Sequence, residues 1–177
     1  MALLPILKFP DPFLRQPTSD VKQFDDALRR LVDDMTETMY ASNGAGLAAI
    51  QVGVALRLFI VEGAVAGLGE NDPPVTFINP QFEWLSDEKE NNEEGCLSFP
   101  GIYVPVKRSV QARVRAFDVH GQPFVAAGEG LYSRAMQHEN DHLINKLLID
   151  YVGPIKRQII KRKLEREAAA EAEAAAE

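Results

Sequence analysis

His138-Glu139-Asn140-Asp141-His142 is an H-E-x-x-H, and histidines four residues apart on a helix project from one face about one turn apart. That spacing lets two imidazole nitrogens meet one divalent metal, with the intervening glutamate close enough to reach water there. A catalytic site of this kind needs a third protein ligand and keeps one position open. No histidine follows His142, and Leu143-Ile144-Asn145-Lys146 lacks the glycine and histidine that an extended zinc-protease motif carries. A downstream glutamate ligand comes only from Glu165 or the Ala/Glu-rich end, solvated segments unsuited to holding a rigid ligand. Upstream, Cys96 sits in Glu94-Gly95-Cys96-Leu97-Ser98 and offers a thiolate to the same borderline-soft ions. His120, in a predicted hairpin turn, is its rival.

The helix that must carry the motif is expected from about Leu131 to Asn145, entered through Gly128-Glu129-Gly130. Leu131, Ala135 and His138 share one face of it, so Leu131 and Ala135 either line an apolar pocket beside the histidine or fill ordinary core. An earlier helix is marked by Leu28, Leu31, Val32, Met35 and Met39 at helical spacing, with Asp25 or Asp26 placed to cap it. Leu56 to Val61 reads as a buried strand, and Gly63 to Pro74 as a loop. Val75 to Leu85 reads as a strand interrupted at Asn79-Pro80. Val110, Ala112, Val114 and Ala116 alternate with polar residues as a half-buried strand, closed by a turn at His120-Gly121. Ser86 to Glu94 is polar and acidic and is expected to be a surface loop. The expectation is a single α+β domain, with mostly antiparallel strands around a central H-E-x-x-H helix and a helix at the C-terminus.

Composition narrows the function classes. The 177 residues are 46% hydrophobic with a net charge of −7, against a chain coated for DNA or other nucleic acid. A single cysteine excludes an internal disulfide. No apolar run approaches the length of a membrane span, and the short apolar start lacks a basic leader, so a cytoplasmic protein is expected. Charge is segregated near the end. Ile155 to Arg166 carries six basic residues against Glu165 alone, and Glu167 to Glu177 contains only alanine and glutamate. The basic stretch is expected to be an amphipathic helix packed by Ile155, Ile159, Ile160 and Leu164, and the tail a frayed helix or disordered extension.

Three segments together resemble peptide deformylases: Gly44-Ala45-Gly46-Leu47-Ala48-Ala49-Ile50-Gln51, Glu94-Gly95-Cys96-Leu97-Ser98 and Gln137-His138-Glu139-Asn140-Asp141-His142. The resemblance runs from about Leu7 through the basic helix, giving a catalytic domain over 1–166 and a tail over 167–177. Two departures stand out: Ile50 where the family often has proline or threonine, and Ile144-Asn145 where Asn-Gly is common.

The resemblance implies removal of the formyl group from the N-terminal formylmethionine of new polypeptides, releasing formate. It implies Cys96, His138 and His142 as metal ligands, water activated at the metal as the attacker, and Glu139 as general base and then acid. The Gln51 amide and the Leu97 N–H would stabilise the oxyanion. Backbone around Ala45, Gly46 and Gly95 would pair with the substrate peptide like an added strand, and Leu131 and Ala135 would receive the methionine side chain. Glu94 and Asp141 either orient ligands or form plain salt bridges. Fe2+ is the expected metal, with Zn2+, Ni2+ and Co2+ compatible with the same ligands. The basic helix over 155–166 is a candidate for contact with ribosomal RNA, and a monomer is expected.

Overall fold

The computed structural model describes residues 2–176. Asp25 opens the first helix, α1 (Asp26–Ala41), its carboxylate accepting the Leu28 N–H at 3.0 Å. The buried residues Leu28, Val32, Met35 and Met39 recur every three or four positions, so α1 turns one continuous stripe toward the core.

That stripe covers one face of an antiparallel sheet of five strands: β1 (Gly46–Ala48), β2 (Leu58–Val61), β3 (Val75–Leu85), β6 (Gln111–Phe117) and β7 (Pro123–Glu129), in the order β1-β2-β3-β6-β7. The fold's logic shows in β2, whose four residues are all fully buried. Leu58 and Ile60 face α1, whereas Phe59 and Val61 face the other way and join Phe77, Val114 and Met136. Successive side chains point to opposite faces, so a strand covered on both sides reads as an unbroken apolar run. The expected interruption in β3 is present. Asn79 adopts a left-handed conformation (φ 51), the register shifts between Ile78 and Gln81, and the Asn79 side chain exchanges two hydrogen bonds with Val21.

The second face belongs to α2 (Leu131–Leu143), which carries the H-E-x-x-H and also packs against the second, two-stranded sheet of β4 (Lys89–Cys96) and β5 (Phe99–Ser109). All strand pairings are antiparallel, so the α+β architecture around a central helix is borne out. Gly130 leads into α2 at φ 60, a conformation that a side chain disfavours. The exit also has a physical account. Asn145 takes a left-handed conformation (φ 61) while its N–H reaches the His142 carbonyl and the Lys146 N–H reaches that of Asp141. This is a Schellman cap, and asparagine serves where glycine is more usual. It ends the helix at Leu143, two residues before the sequence-based boundary.

Two corrections concern the β4–β5 hairpin. Of the loop expected over Ser86 to Glu94 only the first three residues are one: Lys89 onward pairs with β5, Lys89 facing Ser109 and Glu94 facing Val104. Most of β4 is exposed, so its polar composition reflects solvent on its outer side rather than irregular backbone. The partner strand is absent from the sequence-based reading, although Ile102, Val104, Val106 and Arg108 are buried in strict alternation with exposed residues. Likewise β7 takes Gly128 and Glu129, which were expected to lead into α2.

Leu147, Leu148 and Ile149 complete a third core cluster with β5 and with Ile160 and Leu164 of α3 (Pro154–Ala176). That helix continues without a break through the basic stretch and the Ala/Glu segment. Ile155 and Ile159, expected to pack, are instead 80% and 61% exposed, because only Ile160 and Leu164 face the body.

Candidate metal centre

Three donor side chains converge where α2 meets the end of β4: Cys96, His138 and His142 have donor atoms within 4.8 Å of one another. Cys96 Sγ lies 3.4 Å from His142 Nε2. Ligands around a tetrahedral divalent ion sit roughly 3.5 Å apart, so this spacing suits one ion. A thiolate with two imidazoles is a donor set for Fe2+, Zn2+, Co2+ or Ni2+. His120, the rival ligand, lies in the exposed turn after β6, its backbone N–H held by Asp118.

A buried carboxylate fixes which nitrogen of His138 is free. His138 Nδ1 is 2.8 Å from Glu94 Oε1. Burial alone would raise the Glu94 carboxyl, but hydrogen bonds from Arg108 and His138 outweigh it and hold the group at about 2. Glu94 is therefore a carboxylate that only accepts, so Nδ1 donates to it and Nε2 is the ring nitrogen left to meet a metal. Burial, with the charges of His138 and Arg108, holds the His142 imidazole well below its ordinary value and so neutral.

Glu139 points from the same helix toward β1. It is 5% exposed, its Oε1 has no hydrogen-bond partner, and its Oε2 crowds Gly46, where an added Cβ would stand 2.5 Å away. Gly46 is thus glycine for a reason nearer than a passing peptide: it makes room for this carboxylate. Burial pushes Glu139 up to about 7, against the opposing pull of His138. A carboxyl in that range takes and returns protons near neutral pH.

Gln51 lies on the short turn after β1. Its Oε1 accepts the Ala48 N–H at 2.9 Å, which fixes the amide so that Nε2 donates to Ser98 Oγ at 3.0 Å and faces Cys96 Sγ at 3.6 Å. A cleft of about 480 Å3 opens beside these groups, lined by Ala45, Gly46, Gly95, Leu97, Leu131 and Ala135 together with Cys96, His138 and Glu139. Its walls include Gly46 of β1 and residues 93–96 of β4, both outer strands, and residues 99–103 of β5. Every site residue expected from the sequence except His142 therefore lines one cleft, and His142 sits behind it within reach of Cys96.

A model of the polypeptide deformylase family matches residues 3–158. The chain belongs to the peptide deformylase family. It is 50% identical to a peptide deformylase of Azotobacter vinelandii over 167 residues, covering 94% of this chain and 97% of that one. A peptide deformylase of Pseudomonas aeruginosa is 46% identical over 168 residues, again covering 94% and 97%. The fold is similar to the crystal structure of a Legionella pneumophila peptide deformylase, with a TM-score of 0.88, 39% identity and coverage of 97% and 98%. The activity is that of the family: hydrolysis of the N-formyl amide on an N-terminal methionine, in a metal-dependent deformylase.

Four residues near the site escape the sequence-based reading: Ser98, Arg108, Arg134 and Tyr151. Arg108 Nε and Nη2 donate to Glu94 at 2.8 and 2.9 Å, while its Nη1 reaches Asp141 at 2.7 Å and the Tyr151 hydroxyl at 3.0 Å. Glu94 and Asp141 thus share a buried ionic cluster, and Glu94 also orients a histidine. A charged residue at an inward position of alternating β5 was the available signal for Arg108. For Arg134 it was the four-residue step to His138 on one helix face.

Proposed function

We propose that Cys96, His138 and His142 hold one divalent cation and that Glu139 and Gln51 carry the deformylation chemistry beside it. The convergence of these five side chains at the end of one cleft supports the assignment. A cation so held supplies Lewis acidity, which makes water nucleophilic near neutral pH. Glu139 takes the proton of the attacking water through its unpartnered Oε1 and returns it to the departing amine nitrogen, so the formamide and water leave as formate and free amine. Negative charge on the former carbonyl oxygen is met by Gln51 Nε2, whose contact toward Cys96 sulfur is the weaker of its two, and by the Leu97 N–H.

Strand addition fits the same cleft. Gly46 lies on outer strand β1, directly after Ala45, and Gly95 on outer strand β4, and outer strands offer backbone groups to an extended peptide. Leu131 and Ala135, about two turns and one turn before His138 on α2, then receive the methionine side chain. The native metal in this proposal is Fe2+, and the substrate is the nascent chain in the cytoplasm. Residues 1–166 are the catalytic unit and 167–177 a dispensable tail. Formate release from a formyl-Met-peptide by anaerobically purified protein, with metal analysis of the same sample, is expected to show turnover with about one iron per chain. Turnover undiminished after complete metal removal would overturn it.

The solvent face of α3 supports a second contact. Lys156, Arg157, Lys161, Arg162, Lys163 and Arg166 are all exposed on it, a charge pattern suited to ribosomal RNA. Cosedimentation with ribosomes at low salt is expected to weaken in Lys161→Glu/Arg162→Glu. Unchanged binding would remove the contact from the account.

A further inference from the structure

Arg134 has no role in the chemistry above, yet its guanidinium is heavily bonded. It lies on α2 one turn before His138 and is 9% exposed. Nη1 donates to Glu94 Oε2 at 2.6 Å and to the Val106 carbonyl at 2.8 Å, with a longer contact to the Asn92 carbonyl at 3.4 Å. Nη2 donates to the Glu90 carbonyl at 2.8 Å. One helix side chain therefore grips both strands of the hairpin that delivers Cys96, and the carboxylate that orients His138.

A carboxylate offers about four lone-pair sites, and Glu94 uses all of them. Oε1 takes the His138 Nδ1–H and Arg108 Nη2, and Oε2 takes Arg108 Nε and Arg134 Nη1. Arg108 is divided between Glu94 and the Asp141–Tyr151 pair, so it holds Glu94 from one side only. Arg134 closes the other side, which fixes the carboxylate plane and keeps Oε1 facing the histidine. Its charge also completes the balance, with two guanidiniums against Glu94 and Asp141 in a buried cluster.

We propose that Arg134 is a positioning residue for the metal centre: by clamping Glu94 and the β4–β5 hairpin it presets the His138 ring and Cys96 for ligation. The proposal rests on reading Cys96, His138 and His142 as the ligands, and its test separates the two. The metal-free full-length chain is titrated with Co2+ and followed by visible absorption. Wild type is expected to bind one Co2+, and His138→Ala to lose it; retention there would sink the ligand assignment itself. With that control in place, Arg134→Met is expected to bind Co2+ about 10- to 100-fold more weakly, with altered absorption bands. Arg134→Lys keeps the charge but not the planar fork, and is expected to fall between wild type and Arg134→Met. A purely structural bolt between helix and hairpin would lower the unfolding temperature yet leave Co2+ affinity and spectrum at wild-type values in both variants. That result overturns the proposal. If Arg134→Met does not fold, Arg134→Lys decides alone, and wild-type Co2+ affinity in it is the overturning result.

Discussion

Helices α2 and α3 are held by opposite means. In α2, thirteen residues include buried Ser133, Arg134, Gln137, Glu139 and His142, polar groups a helix in water would keep outside. They stay buried because neighbouring groups meet most of their bonding needs: Gln137 accepts the Ser109 N–H and donates to the Ser109 carbonyl and the Ser133 hydroxyl, and Arg134 donates to Glu94 and three carbonyls. In α3, twenty-three residues of high helix propensity bury only Ile160 and Leu164. The shorter helix is fixed by tertiary structure and the longer one by local preference. Chemistry resides where position is over-determined.

Equal insults should therefore have unequal effects. The largest is expected for His142→Ala, which removes a proposed ligand from the buried face of α2: metal content should fall to background and formate release with it. Metal retained at one per chain would break the ligand assignment. Next is a helix breaker placed in each helix. Ala135→Pro is expected to cost about 3 kcal/mol or more in urea denaturation, whereas Ala169→Pro, in the exposed tail, should leave the denaturation midpoint and turnover at wild-type values. Comparable losses from both would erase the contrast.

Much of this contrast was legible in the sequence, for reasons particular residues make plain. The step from His138 to His142 and the lone Cys96 needed only helical geometry and donor chemistry. The alternation through Ala112, Val114 and Ala116 announced β6 because one side of that strand is wet. By contrast, β4 could not be read from Lys89-Glu90-Asn91-Asn92, since an outer strand in water needs no apolar pattern and its pairing depends on a partner ten or more residues away. Arg108 and Arg134 were hidden for a related reason. A buried guanidinium is tolerated only where carboxylates and carbonyls converge, and that convergence exists only after folding. The two solvent-facing isoleucines of α3, Ile155 and Ile159, mislead in the other direction, because helical spacing does not say which face is covered.

A smaller effect is expected where the two helices are joined. Arg15 meets Asp150 through two hydrogen bonds of 2.9 Å, and Asp150 also accepts the Leu147 N–H at 2.9 Å. Burial alone would raise the Asp150 carboxyl, but these donors hold it below its ordinary value. A folded-state value below the unfolded one means stability that is present at neutral pH and lost as pH falls through the folded-state value. Asp150→Asn should accordingly lower the unfolding temperature modestly at pH 7 and converge with wild type in acid. A deficit that persists unchanged at acid pH would contradict the sign. Smallest of all is truncation after Arg166, expected to leave formate release unaltered, with any loss pointing to work done by the Ala/Glu extension.

The central claim is that α2 divides its labour, with His138 and His142 holding the metal while Glu139 between them moves the proton. Parallel measurement of metal content and formate release in Glu139→Gln tests it most directly. The account predicts about one metal per chain, as in wild type, with turnover reduced about 10^2- to 10^4-fold. Wild-type turnover with the metal retained would contradict it.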